Sequence, residues 1–105
     1  MEPWIAVDLD GTLAYYDDWD GAENIGEPIP AMLERVRRWI AIGKTVRIFT
    51  ARACIPEQIP FVRKWLDDLG LESVGITNQK DFGMTELWDD RCIRVERNTG
   101  RPLQI

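Results

Sequence analysis

Residues 4–7, Trp-Ile-Ala-Val, form an apolar run with no polar residue, and they break directly into Asp8-Leu9-Asp10-Gly11-Thr12. A short run with β-branched Ile5 and Val7 reads as a strand buried on both faces of a parallel sheet. Gly11 allows the sharp turn that must follow. In α/β sheets, ligand sites lie just beyond the carboxyl ends of strands. Two carboxylates one residue apart resist ionising together unless a cation or a hydrogen-bond donor balances them. They therefore point to a site and not only to an acidic turn.

The rest of the chain continues the same architecture. Pro30 suits the first turn of a helix and Gly43 its end. Between them Met32, Leu33, Val36, Trp39 and Ile40 recur at helical spacing. Residues 45–50 (TVRIFT) read as a second strand that ends in Thr50 and is followed by Ala51 and Arg52. A second helix carries Ile59, Val62, Trp65 or Leu66, and Leu69 on one face and stops at Gly70. Pro56 and Pro60 cannot share one regular helix, so it is expected to begin near Pro60 or with a distorted first turn. Further short strands are expected over residues 74–77, 85–88 and 93–95, which makes the order β-α-β-α-β-β-β. Alternating strands and helices imply right-handed crossovers and a parallel sheet. The fold class expected is α/β: a Rossmann-like, doubly wound, mainly parallel sheet of five strands. The link between the third and fourth strands is too short for a full helix. It is either a loop, or one of those strands runs antiparallel.

Residues 11–28 show no clean period and are expected to form a flap-like loop over the strand end. Tyr15, Tyr16 and Trp19 sit there among Asp17, Asp18, Asp20 and Glu23. Asp18, Asp20, Gly21 and Glu27 partly match a calcium loop, but Tyr16 falls on the first ligand position and a strand precedes it where a helix should. Residues 96–105 read as a polar tail.

The 105 residues suffice for one domain, 1–105, with a real core and no room for a second. Apolar content of 45% and charged content of 30% are those of a soluble globular protein. No run approaches a membrane span, and the basic region of a signal peptide is missing, so a cytoplasmic location is expected. Cys54 and Cys92 are too few for a disulfide scaffold and form no CxxC pair; they are expected as reduced core residues. The net charge of −5 is unevenly spread: residues 1–27 hold eight acids and no base, and residues 91–105 hold four arginines against one glutamate. That acidity disfavours non-specific nucleic-acid binding and suits a cation beside the first strand. With no histidine in the chain, acid–base chemistry must come from carboxylates, lysine, tyrosine or cysteine.

The strand ends together supply Asp8 and Asp10, Thr50, Lys80, and Asp89 with Asp90. On one edge of a parallel sheet they can share a crevice. Carboxylates in such number bind a hard cation such as Mg²⁺, and a remaining one can attack phosphorus. Thr50 and Lys80 can neutralise and orient a phosphoryl group.

This ordered set resembles the haloacid dehalogenase superfamily of aspartate-nucleophile phosphotransferases, over residues 4 to about 95. Asp8-Leu9-Asp10-Gly11-Thr12 is the most specific motif, and Thr50, Lys80 and Asp89-Asp90 match the later motifs in order. Residues 77–80 (TNQK) and 88–91 (WDDR) look like a small capless branch. The resemblance implies Asp8 as nucleophile and Mg²⁺ ligand. It implies Asp10 as the acid and then the base, with its backbone carbonyl on the metal. Thr50 and the backbone N–H groups near Leu9 to Gly11 would hold the phosphate, with Thr12, Ala51, Arg52 and Asn78 also around the substrate. Lys80 would pair with Asp8 and the phosphate, and Asp89 and Asp90 would bind Mg²⁺, Asp90 directly. An acid at Asp10 favours hydrolysis of phosphate monoesters. The segments after Leu13 and Arg52 are too short for a cap domain. Recognition is then expected from Tyr15, Tyr16 and Trp19, from Arg52 and Asn78, or from a second subunit. Arg52 reads equally as a substrate clamp or a surface charge.

The function expected is a Mg²⁺-dependent phosphomonoester phosphatase with an aspartyl-phosphate intermediate, acting on a small phosphorylated substrate and not on membranes. A response-regulator receiver domain would carry its phospho-accepting aspartate on a later strand. A non-catalytic phosphate-binding module should lack a catalytic side chain, and none is missing. A nucleotide or nucleic-acid-end phosphatase would use Arg91, Arg94, Arg97 and Arg101.

Overall fold

The computed structural model describes residues 2–103. Along the chain lie β1 (Trp4–Val7), α1 (Pro30–Ala41), β2 (Val46–Phe49), α2 (Ile59–Asp68), β3 (Gly75–Thr77) and β4 (Met84–Trp88). Short 3₁₀ turns, Ala51–Cys54 and Pro56–Gln58, separate β2 from α2. The four strands pair in parallel in the order β3-β2-β1-β4. β1 is interior, and all four of its residues are buried, as an unbroken apolar strand requires. Val7 lies opposite Ile48 on one side and Trp88 on the other. The α/β class and the parallel sheet are thus observed.

Pro30 opens α1 where its missing N–H has no partner to lose, and Gly43 ends the turn beyond it at φ +86. The two prolines before α2 are accommodated separately. Pro56 opens its own 3₁₀ turn and Pro60 sits in the first turn of α2, so neither interrupts a helix interior. Met32 and Val36 of α1 and Val62 and Leu66 of α2 form one core with Ile5, Val7, Val46 and Ile48. Alternate strand residues share a face, so both helices cover the same face of the sheet. The sheet is therefore not doubly wound. From β1 to β3 the chain advances in one direction, and right-handed crossovers keep both helices on one side.

The opposite face is crossed by residues 78–83, the connection from β3 to β4. Asp81 accepts a hydrogen bond from Trp4 Nε1 at 2.9 Å and pairs with Arg47 at 3.8 Å. Arg47 in turn lies 4.6 Å from the Trp4 ring centre. This small polar layer buries Trp4 where a helix would otherwise lie. The connection is a loop, and β4 is parallel.

The fifth strand expected at 93–95 does not form. Ile93 and Val95 are exposed, and residues 91–103 fold back on themselves through Leu103 N–H to Arg94 O and Glu96 N–H to Arg101 O. The positive φ of Asn98 and Gly100 makes that local turn, which leaves β4 as the sheet edge. Of the tail expected over 96–105, residues up to 103 are described; 104 and 105, like residue 1 of the single domain expected over 1–105, lie outside the described residues. Cys54 and Cys92 are exposed free thiols and not core residues. Among the described residues no helix is long and apolar enough to cross a membrane, and no folded unit is inserted after β1 or β2.

Leu66→Ala empties a fully buried position where α2 meets the sheet. It should destabilise the protein by about 2–5 kcal/mol in urea unfolding. Phe82, 99% exposed, should tolerate alanine with a change within about 0.5 kcal/mol.

Candidate active site

The site begins where β1 and β4 end side by side. Asp8 N–H donates to Trp88 O at 2.9 Å, which sets Asp8 beside the two residues that follow Trp88. Asp8, Asp89 and Asp90 offer carboxylate oxygens that all lie within 4.8 Å of one another. Beyond Asp8 the chain turns tightly, with Leu9 O accepting the N–H groups of Leu13 and Ala14 at 3.0 and 2.9 Å. Gly11 sits in this turn at φ +94, and a Cβ there would lie 2.6 Å from Asp90 Oδ2. Both its backbone conformation and the space that Asp90 occupies require glycine. Thr12 Oγ1 lies 3.3 Å from Asp8 Oδ2 and 3.1 Å from Asp90 Oδ1, and it accepts Asp90 N–H at 3.0 Å. Its single proton therefore bridges two acids.

Burial, more than any neighbour, pushes the Asp8 carboxyl up to about 7. The charge of Asp89 and then the hydrogen bond and charge of Asp90 act in the same direction, and Thr12 opposes them weakly. Among the described residues Lys80 forms no ion pair with Asp8; it is exposed and does not line the cleft. The reason is topological. β2 separates β3 from β1, roughly 10 Å in all. The chain also turns away after β3, where Gln79 N–H donates to Thr77 Oγ1 at 3.0 Å, and crosses the opposite face. Three crowded carboxylates without an internal cation form a donor set that suits a hard divalent ion. They are three of the four residues expected at the metal; the fourth is Asp10.

The Asp10 carboxylate is not part of that set. Arg52 grips it with both arms of its guanidinium, Nε to Oδ2 at 2.8 Å and Nη2 to Oδ1 at 3.0 Å. Arg52 also donates to Ala22 O at 3.0 Å and Asn24 O at 3.2 Å, and only 4% of it is exposed. It is therefore neither a surface charge nor free to clamp a ligand. The Trp19 ring covers its guanidinium, with the centroid 4.9 Å from Cζ. The 11–28 loop is pinned at further points, by Tyr15 N–H to Glu27 O at 2.9 Å and Trp65 Nε1 to Gly26 O at 3.0 Å.

Thr50, also buried, ends β2 and accepts Arg52 N–H on Oγ1 at 3.1 Å. Between these elements lies a cleft of about 720 Å³, reached by Asp8, Asp10, Thr50, Asp89 and Asp90. Ala51 and Asn78 line it as expected, and Asn78 donates to Cys54 Sγ at 3.3 Å. Of the other expected contacts, Gly11 N–H donates to Ala14 O at 2.8 Å and Thr12 Oγ1 serves the acids, while the Leu9 side chain is buried in the core. Gln58, Ile55 and Arg91 also reach the cleft. No motif marks the first two, whereas Arg91 follows the acid pair directly and its N–H donates to Asp89 Oδ1 at 2.8 Å. Of the other C-terminal arginines, none lines the cleft, and Arg101 pairs with Glu96.

A carboxyl raised on folding favours the folded state at pH below about 4 and withdraws that support as pH rises through about 7. The full shift corresponds to about 4 kcal/mol. Solvent access to half-buried Asp8 reduces it to roughly 1–2 kcal/mol. In chelator at pH 8, Asp8→Asn should therefore raise Tm above that of the parent, with the difference vanishing near pH 4. Gly11→Ala should displace Asp90, and Mg²⁺ at pH 8 should then stabilise the variant less than the parent in thermal melts. No family model, characterised protein or solved structure matches this chain.

Proposed function

We propose that this chain is a Mg²⁺-dependent phosphomonoesterase that works through an aspartyl phosphate on Asp8. The observation that carries this reading is the half-buried Asp8 carboxylate, crowded by Asp89 and Asp90 beside Thr50 and an oriented Asp10. Mg²⁺ held by Asp8, Asp89 and Asp90, with the Asp10 backbone carbonyl, would supply the positive charge that lets an anionic nucleophile meet an anionic phosphate.

Asp8 attacks phosphorus with one carboxylate oxygen while the bond to the leaving alcohol breaks. Asp10 gives that alcohol its proton. In the second half, water attacks the phosphorus of the aspartyl phosphate, Asp10 takes the water's proton, and Asp8 is released. Arg52 orients Asp10 for both transfers through its paired hydrogen bonds. Thr50 Oγ1 already accepts Arg52 N–H, so its own proton is left for a phosphate oxygen. Arg91 at the rim takes the place expected of Lys80 as the side-chain cation facing the phosphate.

Phosphate release from acetyl phosphate and p-nitrophenyl phosphate, with and without Mg²⁺, tests the chemistry. Turnover should require Mg²⁺ and fall by on the order of 10³-fold or more in Asp8→Asn. Asp10→Asn should lose about 10²–10⁴-fold on alkyl phosphates, whose leaving oxygen needs a proton. The loss should be smaller on p-nitrophenyl phosphate. A folded protein that binds Mg²⁺ and hydrolyses neither compound rules the reading out.

A further inference from the structure

The cleft is wider than a phosphate needs, and its lining is chemically mixed. Besides the acids it includes Tyr16 and Trp19 from the 11–28 loop, Phe49 and Ile55 from the β2 side, and the carboxamides of Gln58 and Asn78. Tyr16 and Trp19 keep 44% and 50% of their surface exposed, although each is large and apolar. Trp19 is not simply loose in solvent. One face of its indole rests on the Arg52 guanidinium, and half exposure is what a ring covered on one side retains. That guanidinium is itself fixed, by the Asp10 carboxylate and by the carbonyls of Ala22 and Asn24. The open face of the ring is therefore held at a set position, one guanidinium away from Asp10. A preordered aromatic surface of this kind stacks a planar ring with little ordering left to do on binding.

We propose that Trp19 is a stacking platform for the leaving group, so that the substrates are phosphomonoesters of uncharged alcohols bearing a planar aromatic or heteroaromatic ring. The proposal rests on the phosphomonoesterase reading. Charge narrows the class further. Arg52 is committed to Asp10 and to backbone carbonyls, and Arg91 is the remaining basic residue of the cleft lining. Asp17, Asp18 and Asp20 stand exposed beside Trp19 on the same loop. A leaving group with a carboxylate or a second phosphate, or an oligonucleotide strand, meets repulsion there. A neutral ring does not. Two sources share this chemistry, a nucleoside and a simple phenol. Carboxamides, each with a donor and an acceptor, suit the edge of a heterocycle better than a phenyl ring.

The test compares kcat/KM with Mg²⁺ for acetyl phosphate, glycerol 2-phosphate, phenyl phosphate and nucleoside 5′-monophosphates, in the parent, Trp19→Ala and Trp19→Phe. Ring-bearing esters should exceed glycerol 2-phosphate by about tenfold or more through KM. That ratio should collapse in Trp19→Ala and survive in Trp19→Phe, which keeps a ring over Arg52. A purely structural role would depress all substrates alike and leave the ratio unchanged, and that result overturns the proposal. Preference for nucleotides, with a further loss in Asn78→Ala, identifies the heterocycle; preference for phenyl phosphate identifies the phenol. If acetyl phosphate is hydrolysed and no ring preference appears, the platform is wrong while the chemistry stands. If none of these phosphates is hydrolysed, the chemistry is wrong, and calorimetric titration of adenosine 5′-monophosphate against glycerol 2-phosphate still decides the platform. Equal affinities would end it.

Discussion

Val7 pairs with Trp88 in parallel register, and the placement of the acids depends on that contact. Once Asp8 N–H is bonded to Trp88 O, the next residues of both strands emerge side by side at one edge of the sheet. Asp8, Asp89 and Asp90 would separate if they were free to do so, because like charges at this range repel. The ladder does not let them. Thr12 adds a second constraint by bonding to Asp8 and to both the side chain and the backbone of Asp90. Burial first, and then this imposed crowding, raise the Asp8 carboxyl.

The cleft is divided by charge. On the β4 side carboxylates gather without an internal cation. On the β2 side a buried arginine gives one hydrogen bond to each Asp10 oxygen and also holds the 11–28 loop by its carbonyls. A buried guanidinium without such partners would be very unfavourable, so Asp10, the loop carbonyls and Trp19 are mutually dependent. The loop thus becomes a wall of the cleft, although Tyr15 to Asp20 stay exposed. That wall carries the rings of Tyr16 and Trp19 to the cleft.

Economy marks the remainder of the fold. Both helices serve one face, and the other is closed by the Trp4, Arg47 and Asp81 layer in a connection of only a few residues. This layer accounts for a parallel fourth strand without a third helix. It also accounts for Lys80, which is carried off with the crossing chain.

The sequence alone was enough for the α/β class, the parallel order of the early strands, both helices and the gathering of Asp8, Asp10, Thr50, Asp89 and Asp90 at one edge. Those features depend on local signals: apolar runs of strand length, helical periodicity, and glycine and proline at the ends. A residue at a strand end is carried by the strand wherever the strand goes. What tertiary structure decided concerns pairs distant along the chain. It turned Asp10 to Arg52 and away from the other acids, took Lys80 out of the cleft, and kept residues 93–95 off the sheet. It also set Cys54 and Cys92 at the surface. None of these follows from spacing, because a side chain's partner is chosen by competition among everything the fold brings within reach. Arg52 could be read from the chain as a clamp or a surface charge; only the loop folding over it, with Ala22, Asn24 and Trp19, made it a buried brace.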